Sequence, residues 1–196
     1  MDQRVAYSLF MDESRLTLLF QRSEKTVLAE EPVIGKQNIM RIRSAMLSDA
    51  DKIYLTHKAS IETLCAIHYS EQDIAEWIDI LSPSIYENAI NEKDMIIAED
   101  GDNLLGLGIL DAVNKEICAI YIHPSSKGIG LGKKILLELE HRAHEKGVDY
   151  LTLRSTTNAL GFYEHHGYNK EGRTFHELPN GVKLKCTIMR KTLNKN

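Results

Sequence analysis

The stretch HPSSKGIGLGKK, residues 123–134, lies between a run of apolar residues and an amphipathic segment. Its glycines stand at positions 128, 130 and 132. Glycine lets the backbone approach a ligand closely, and the N-terminus of a helix attracts negative charge. The stretch is therefore typical of a loop between a strand and a helix that binds an anion.

Two well-known phosphate loops fit this stretch poorly. A P-loop, GxxxxGK[ST], would need glycine where Lys127 stands and Ser or Thr where Lys134 stands. The dinucleotide fingerprint GxGxxG would need glycine in place of Lys133, so a nicotinamide-dependent oxidoreductase is a weak alternative. What remains is a basic residue followed by three alternating glycines, KGIGLG, at residues 127–132.

The rest of the chain predicts an α/β (α+β) fold with a mixed central sheet flanked by helices. Strands are expected at 39–45, 94–100, 104–113, 116–124 and 149–155, with a hairpin over 174–193 that turns at PNG. Helices are expected after Ser48, carrying the apolar residues Ile53, Leu55, Ile61 and Leu64, and over 70–81 with Ser70 as N-cap. Further helices are expected from Gly130 to about Lys146 and within 157–168.

The composition bounds the class of protein. The chain has 196 residues, 43% of them hydrophobic, and a net charge of -4. Since the net charge is slightly negative and no apolar run approaches the ~20 residues of a membrane span, neither a nucleic acid nor a membrane is an expected partner. Three scattered cysteines, Cys65, Cys118 and Cys186, fit a cytoplasmic protein and predict no metal site. Residues 1–38 are expected to be an N-terminal extension, and 39–193 the folded domain.

The segment STTNALGFYEHHGY, residues 155–168, follows the glycine loop after one intervening strand. Together the loop and this segment resemble the GNAT superfamily of acetyl-CoA-dependent N-acetyltransferases. The resemblance implies that acetyl-CoA is the co-substrate, without a metal. It also implies that its pyrophosphate is bound by Lys127, Gly128, Ile129, Gly130, Leu131, Gly132 and Lys133. Lys127 stands where the family usually has Arg or Gln, which keeps the charge but loses the bidentate geometry.

The resemblance also implies roles around the second segment. Tyr163 would donate a proton to the departing CoA thiolate, and Asn158 would contact the cofactor, although many members place that Asn at the position of Thr156. The strands at 116–124 and 149–155 would splay apart, so that main-chain atoms near Tyr121 and Ile122 bind the acyl and pantetheine amides.

The remaining site residues have open alternatives. Glu116 resembles the catalytic base of the histone-acetylating branch, but a solvated carboxylate at a strand edge is also consistent. His68 and Tyr69 lie where the family has its acceptor pocket, although a tyrosine there could equally belong to the core. Cys118 could accept an acyl group, but we expect it to be a small buried packing residue.

The sequence therefore predicts an N-acetyltransferase that transfers an acetyl group to a primary amine by direct attack in a ternary complex. The acceptor, a small molecule or a peptide, stays open, as does the oligomeric state, for which a homodimer is one arrangement. The alternative is a non-catalytic acyl-CoA-binding or regulatory module on the same fold.

Overall fold

The computed structural model describes residues 40–193, which form one mixed β-sheet with helices on both faces. The strands run in the order β1-β2-β3-β4-β5-β7-β6. Their bounds are β1 Arg41–Ser44, β2 Asp94–Asp100, β3 Asn103–Asp111, β4 Glu116–Ile122, β5 Tyr150–Thr156, β6 Asn169–Glu177 and β7 Lys183–Thr192. All neighbours are antiparallel except β4 and β5, which are parallel. The predicted fold class is confirmed, whereas the predicted extension at 1–38 lies outside the described residues.

Five α-helices surround the sheet in the described part of the chain. They are α1 Ala50–Ser60, α2 Glu71–Asp79, α3 Pro83–Glu92, α4 Leu131–Glu145 and α5 Leu160–His165. A π-helical turn, Ile61–Cys65, continues α1 directly. Helix α3 was not predicted from the sequence; it begins with Pro83 in its first turn and buries Tyr86. Within residues 40–193, every helix is too short or too polar to cross a membrane.

Helix α4 covers one face of the sheet through the predicted apolar stripe. All five stripe residues are buried, namely Leu131, Ile135, Leu136, Leu139 and Ala143. A Cβ at Gly108 of β3 would lie 2.7 Å from the Ile135 side chain, so glycine there lets α4 approach the sheet closely. The helix stops at Gly147, which adopts a φ of +73°. The stripe therefore fixes α4, and with it the glycine loop, against the sheet.

The opposite face is covered by α1 and α3, and the entry into α1 differs from the prediction. Ser48 is not the N-cap, because residues 47–49 form a 3₁₀ turn before the helix. The Asp49 carboxylate instead accepts the Met46 N–H at 2.8 Å and binds Arg43 of β1. Arg43 holds the pKa of Asp49 below its usual range. Of the apolar residues on this helix, Ile53 is buried whereas Leu55 is 61% exposed.

The other caps and turns follow the prediction. Ser70 caps α2, where its hydroxyl accepts the Asp73 N–H at 3.1 Å and the Asp73 carboxylate accepts the Ser70 N–H at 3.3 Å. Strands β6 and β7 form the predicted hairpin, with Pro179, Asn180 and Gly181 in its turn.

Candidate active site

Strands β4 and β5 separate soon after they begin. They pair at two positions, Glu116 with Thr152 and Ile117 with Leu153. Beyond these positions β4 continues to pair with β3 as far as Ile122, while its other edge has no partner strand among the described residues. The predicted splayed cleft is confirmed, and its backbone groups are open to a ligand that lies along β4 as an added strand would.

A β-bulge lies where the two strands part. Ala119 pairs with Ile109 and Ile117 with Leu110, which leaves Cys118 as the extra residue of β4. Its side chain is exposed, and the Lys93 Nζ donates to its Sγ at 3.5 Å. The prediction that Cys118 is a buried packing residue is therefore wrong, because a bulge changes the alternation of side chains along the strand.

A cavity of about 360 Å³ opens at the splayed ends of β4 and β5. Seven of the predicted site residues line it, namely His68, Tyr121, Ile122, Lys127, Gly132, Asn158 and Tyr163. The other residues that line the cavity were not predicted as site residues. They are Ser60, Leu64, Cys65, Ile67, Ile120, Thr156, Ala159 and Phe162. The cavity therefore joins the cofactor segments and the acceptor segment that the resemblance implies.

The glycine loop adopts the conformation that its composition allows. Gly128 and Gly130 have φ values of +85° and +78°, in the left-handed region that favours glycine. A Cβ at either position would meet no atom within 4 Å, so the loop is open on its outer side. Gly130 precedes the first turn of α4, whose leading N–H groups have no partner within the helix.

The side chains around the loop add positive charge and fix its position. Leu131 is 1% exposed and fixes the first turn in the core, whereas Ile129 is 61% exposed. Lys127 and Lys133 add positive charge at the end of α4 where the helix dipole is also positive. A Cβ at Gly132 would lie 3.5 Å from the Phe162 ring, so α5 packs against this turn. The loop thus combines open glycines, backbone N–H groups at the start of α4 and two lysines. This combination suits the binding of a pyrophosphate.

Tyr163 lies on α5 between two other aromatic rings. Its ring is edge-on to Phe162 at 5.1 Å and to Tyr168 at 5.6 Å. The residue is 7% exposed, and burial raises the pKa of its hydroxyl above the ordinary value. The hydroxyl therefore stays protonated at physiological pH.

Tyr69 lies outside the lining of the cavity. Its hydroxyl donates to the Lys185 carbonyl at 2.9 Å and accepts the Thr157 N–H at 3.2 Å. Its ring is edge-on to Trp77 at a centroid distance of 5.8 Å. In this structure Tyr69 connects the α1–α2 segment to β7 and to the turn before α5.

Glu116 also lies outside the lining. Its carboxylate binds the Arg154 guanidinium at 3.0 Å, and its side chain is 25% exposed. Glu116 precedes Tyr121 by five residues, and at ~3.3 Å per strand residue the two are roughly 15 Å apart along β4. A proton from an amine beside Tyr121 would therefore reach Glu116 through water rather than directly.

His57 is a further residue near the site that the sequence analysis missed. Its ring is stacked on Tyr121 at a centroid distance of 3.5 Å, and its Nδ1 lies 2.7 Å from the Tyr86 hydroxyl oxygen. Burial lowers the pKa of His57 to about 3. The i, i+4, i+8 spacing of Ile53, His57 and Ile61 on one helix face could have indicated that this histidine is buried.

The π-helical turn explains why the α1 segment reaches the cavity. Such turns interrupt the regular helical register. Leu64 and Cys65 from this turn line the cavity, with Ile67 and His68 directly after it. The wall of the cavity opposite the glycine loop is thus built by residues 60–68.

Comparisons with known proteins agree with this arrangement. Residues 65–193 match the acetyltransferase (GNAT) domain family. The chain belongs to this family, which confirms the predicted superfamily and agrees with the predicted enzyme class, an N-acetyltransferase.

Several relatives share the fold. A GCN5-related N-acetyltransferase from Rhodopseudomonas palustris is 27% identical with a TM-score of 0.72, over 79% of this chain and 96% of that one. The PaiA N-acetyltransferase from Thermoplasma acidophilum, in complex with coenzyme A, is 23% identical with a TM-score of 0.67, over 79% and 99% of the two chains. The uncharacterized N-acetyltransferase YjcF from Bacillus subtilis (strain 168) is 34% identical over 83 residues, 40% of this chain. That match spans 57% of the length of YjcF.

Proposed function

We propose that this protein transfers the acetyl group of acetyl-CoA to a primary amine by direct attack in a ternary complex. The observation that carries the proposal is that Tyr163, Lys127 and Gly132 line the same cavity, where β4 and β5 splay apart. A site for an anion and a buried proton donor therefore open into the same space.

Binding of acetyl-CoA rests mainly on the backbone. The N–H groups of residues 128–133 and the ammonium of Lys127 hold the pyrophosphate at the start of α4. The free edge of β4 near Tyr121 and Ile122 binds the pantetheine and acyl amides, and Asn158 contacts the same arm. Acetyl-CoA supplies the activated acetyl group.

The transfer needs three proton movements. The neutral amine attacks the acetyl carbonyl carbon, so that an N–C bond forms, the C–S bond breaks and the CoA thiolate leaves. Tyr163 donates a proton to this thiolate, and the tyrosinate that remains takes up, through water, the extra proton on the nitrogen of the new amide. An alkyl amine has a pKa of ~10.4 and is mostly protonated at neutral pH, so its proton must first be removed. Glu116 accepts this proton through intervening water, and His68 contacts the acceptor.

The test is release of the CoA thiol in the presence of a panel of amines, for wild type and Tyr163→Phe. We expect the kcat of Tyr163→Phe to fall about a hundredfold, because the proton donor is lost, while acetyl-CoA affinity measured by calorimetry is retained. Tyr150→Phe at the start of β5 is the matched control, since its ring faces Lys115 and Arg190 rather than the cavity.

Two results would contradict the proposal. If wild type binds acetyl-CoA but none of the amines in the panel causes release of the CoA thiol, the protein is the non-catalytic acyl-CoA-binding module instead. If Tyr163→Phe keeps the wild-type kcat, the role of the hydroxyl is wrong.

A further inference from the structure

We infer that the acceptor is a small alkyl- or arylalkylamine, with its amine on an uncharged apolar group, and not a polycation such as a polyamine or an aminoglycoside. This inference rests on the proposed function and identifies the substrate class of the same site.

The wall of the cavity built by residues 60–68 is mostly apolar. Leu64, Cys65 and Ile67 face the cavity from this wall, and Ile120 and Phe162 contribute from the other side. Ile67 is 80% exposed at the rim. An apolar group placed here would bury apolar surface on both sides, which is favourable at about 25 cal/mol per Å².

Among the described residues that line the cavity, none is an aspartate or a glutamate. The charged or basic side chains in the lining are Lys127 and His68. A second or third ammonium group of a polycation would therefore leave water without a carboxylate to pair with, which is unfavourable.

Three carboxylates on β3, β4 and the π-helical turn are paired with cations. Glu116 binds Arg154 at 3.0 Å, Asp111 binds Lys93 at 3.2 Å, and Glu62 lies 3.9 Å from Lys58. Each pair offsets the negative charge that would attract a polycation. These three carboxylates therefore add little negative charge of their own near the site.

The size of the cavity favours a small acceptor. Its volume of about 360 Å³ also includes the space beside Tyr121, Ile122 and Tyr163, where the reacting end of acetyl-CoA is proposed to lie. The space that remains beside Leu64 and Ile67 suits a single ring or a short alkyl chain.

The test compares phenethylamine, butylamine, spermidine and kanamycin as acceptors in the thiol-release assay. We expect kcat/KM to be at least about tenfold higher for the two apolar amines. Ile67→Asp should lower kcat/KM for phenethylamine about tenfold and raise it for spermidine, because it adds a carboxylate at the rim. Val113→Asp is the matched control, since Val113 is 92% exposed and outside the lining.

Ile67 is a suitable position because an exposed side chain can be changed without loss of the fold; acetyl-CoA affinity and thermal unfolding of Ile67→Asp check this directly. Higher turnover of spermidine or kanamycin than of both apolar amines would overturn the inference and leave the proposed function intact. If the protein binds acetyl-CoA but releases no CoA thiol with any of the four amines, the proposed function is wrong, and the inference with it.

Discussion

The Tyr69 hydroxyl accepts the backbone N–H of Thr157 at 3.2 Å. The same hydroxyl donates to the Lys185 carbonyl at 2.9 Å. One side chain from the α1–α2 segment therefore holds the turn that begins just before Asn158 and leads into the helix of Tyr163. The position of the proposed proton donor depends on this contact.

Tyr69→Phe removes both hydrogen bonds and leaves the Thr157 N–H without its partner. We expect a loss of about 0.5–1.5 kcal/mol in the free energy of unfolding. We also expect a lower kcat at an acetyl-CoA KM close to that of wild type, because the glycine loop is unaffected. Urea unfolding and steady-state kinetics measure the two effects, with Tyr150→Phe as control. An unchanged kcat together with the loss of stability would make the contact purely structural.

Gly130→Ala tests the conformation of the glycine loop. Gly130 has a φ of +78°, which an L residue adopts at a cost of roughly 1–2 kcal/mol. We expect a loss of that size in the free energy of unfolding, or a shift of the loop that weakens acetyl-CoA binding. Either effect comes from the backbone, since a Cβ there would meet no atom within 4 Å.

Gly172→Ala is the matched control for Gly130→Ala. Gly172 lies in β6 with equally open surroundings, and its φ is not positive. Calorimetry with CoA and urea unfolding on both variants give the comparison. Gly130→Ala with wild-type stability and wild-type affinity would be evidence against the importance of the left-handed conformation.

Features that depend on local pattern were predictable from the sequence. The alternating glycines of residues 127–132 and the stripe that begins at Leu131 each follow from neighbouring residues, and the structure has both. The pairing of Ser70 with Asp73 is similarly local. Such features are fixed by sequence spacing and short-range geometry, so they could be inferred from the sequence alone.

Other features depend on contacts between distant segments and could not be inferred. The exposure of Cys118 follows from the register of β4 against β3, which the composition of β4 does not reveal. The hydroxyl of Tyr69 is used by Thr157 and Lys185, which are 88 and 116 residues away. Leu64 faces the cavity because a π-helical turn changes the helical register, and no sequence signal marked that turn.

Glu116→Gln tests the proposed path of the amine proton. The amide retains the shape of the side chain near Arg154 but is not a base. We expect kcat to fall about tenfold or more near neutral pH and to recover as the pH approaches the amine pKa of ~10.4, where the acceptor is already neutral. The pH profile of kcat measures this. Glu171→Gln is the control, since Glu171 also pairs with an arginine, at 3.8 Å from Arg190. If both variants give the wild-type profile, Glu116 only pairs with Arg154.

His57 predicts how the stability of the fold depends on pH. Its folded pKa is lowered to about 3 by burial, and its Nε2 has no hydrogen-bond partner among the described residues. In the unfolded chain the pKa of histidine is ~6.5, so below that pH the unfolded state binds a proton that the folded state does not. Stability therefore falls as the pH falls from ~6.5 toward 3, by about 2 kcal/mol between pH 7 and pH 5 from this residue.

His57→Asn isolates this contribution. Asparagine does not titrate, so we expect the variant to be less stable than wild type at pH 7 but to lose about 2 kcal/mol less between pH 7 and pH 5. Asp49, whose pKa is also lowered, loses its contribution only below its unfolded pKa of ~3.9 and does not enter this window. Urea unfolding at both pH values measures the difference, with the exposed His144→Asn as control. Equal pH dependence in wild type and His57→Asn would mean that His57 is protonated in the folded protein, and the stack on Tyr121 would then carry a positive charge beside the proposed acyl site.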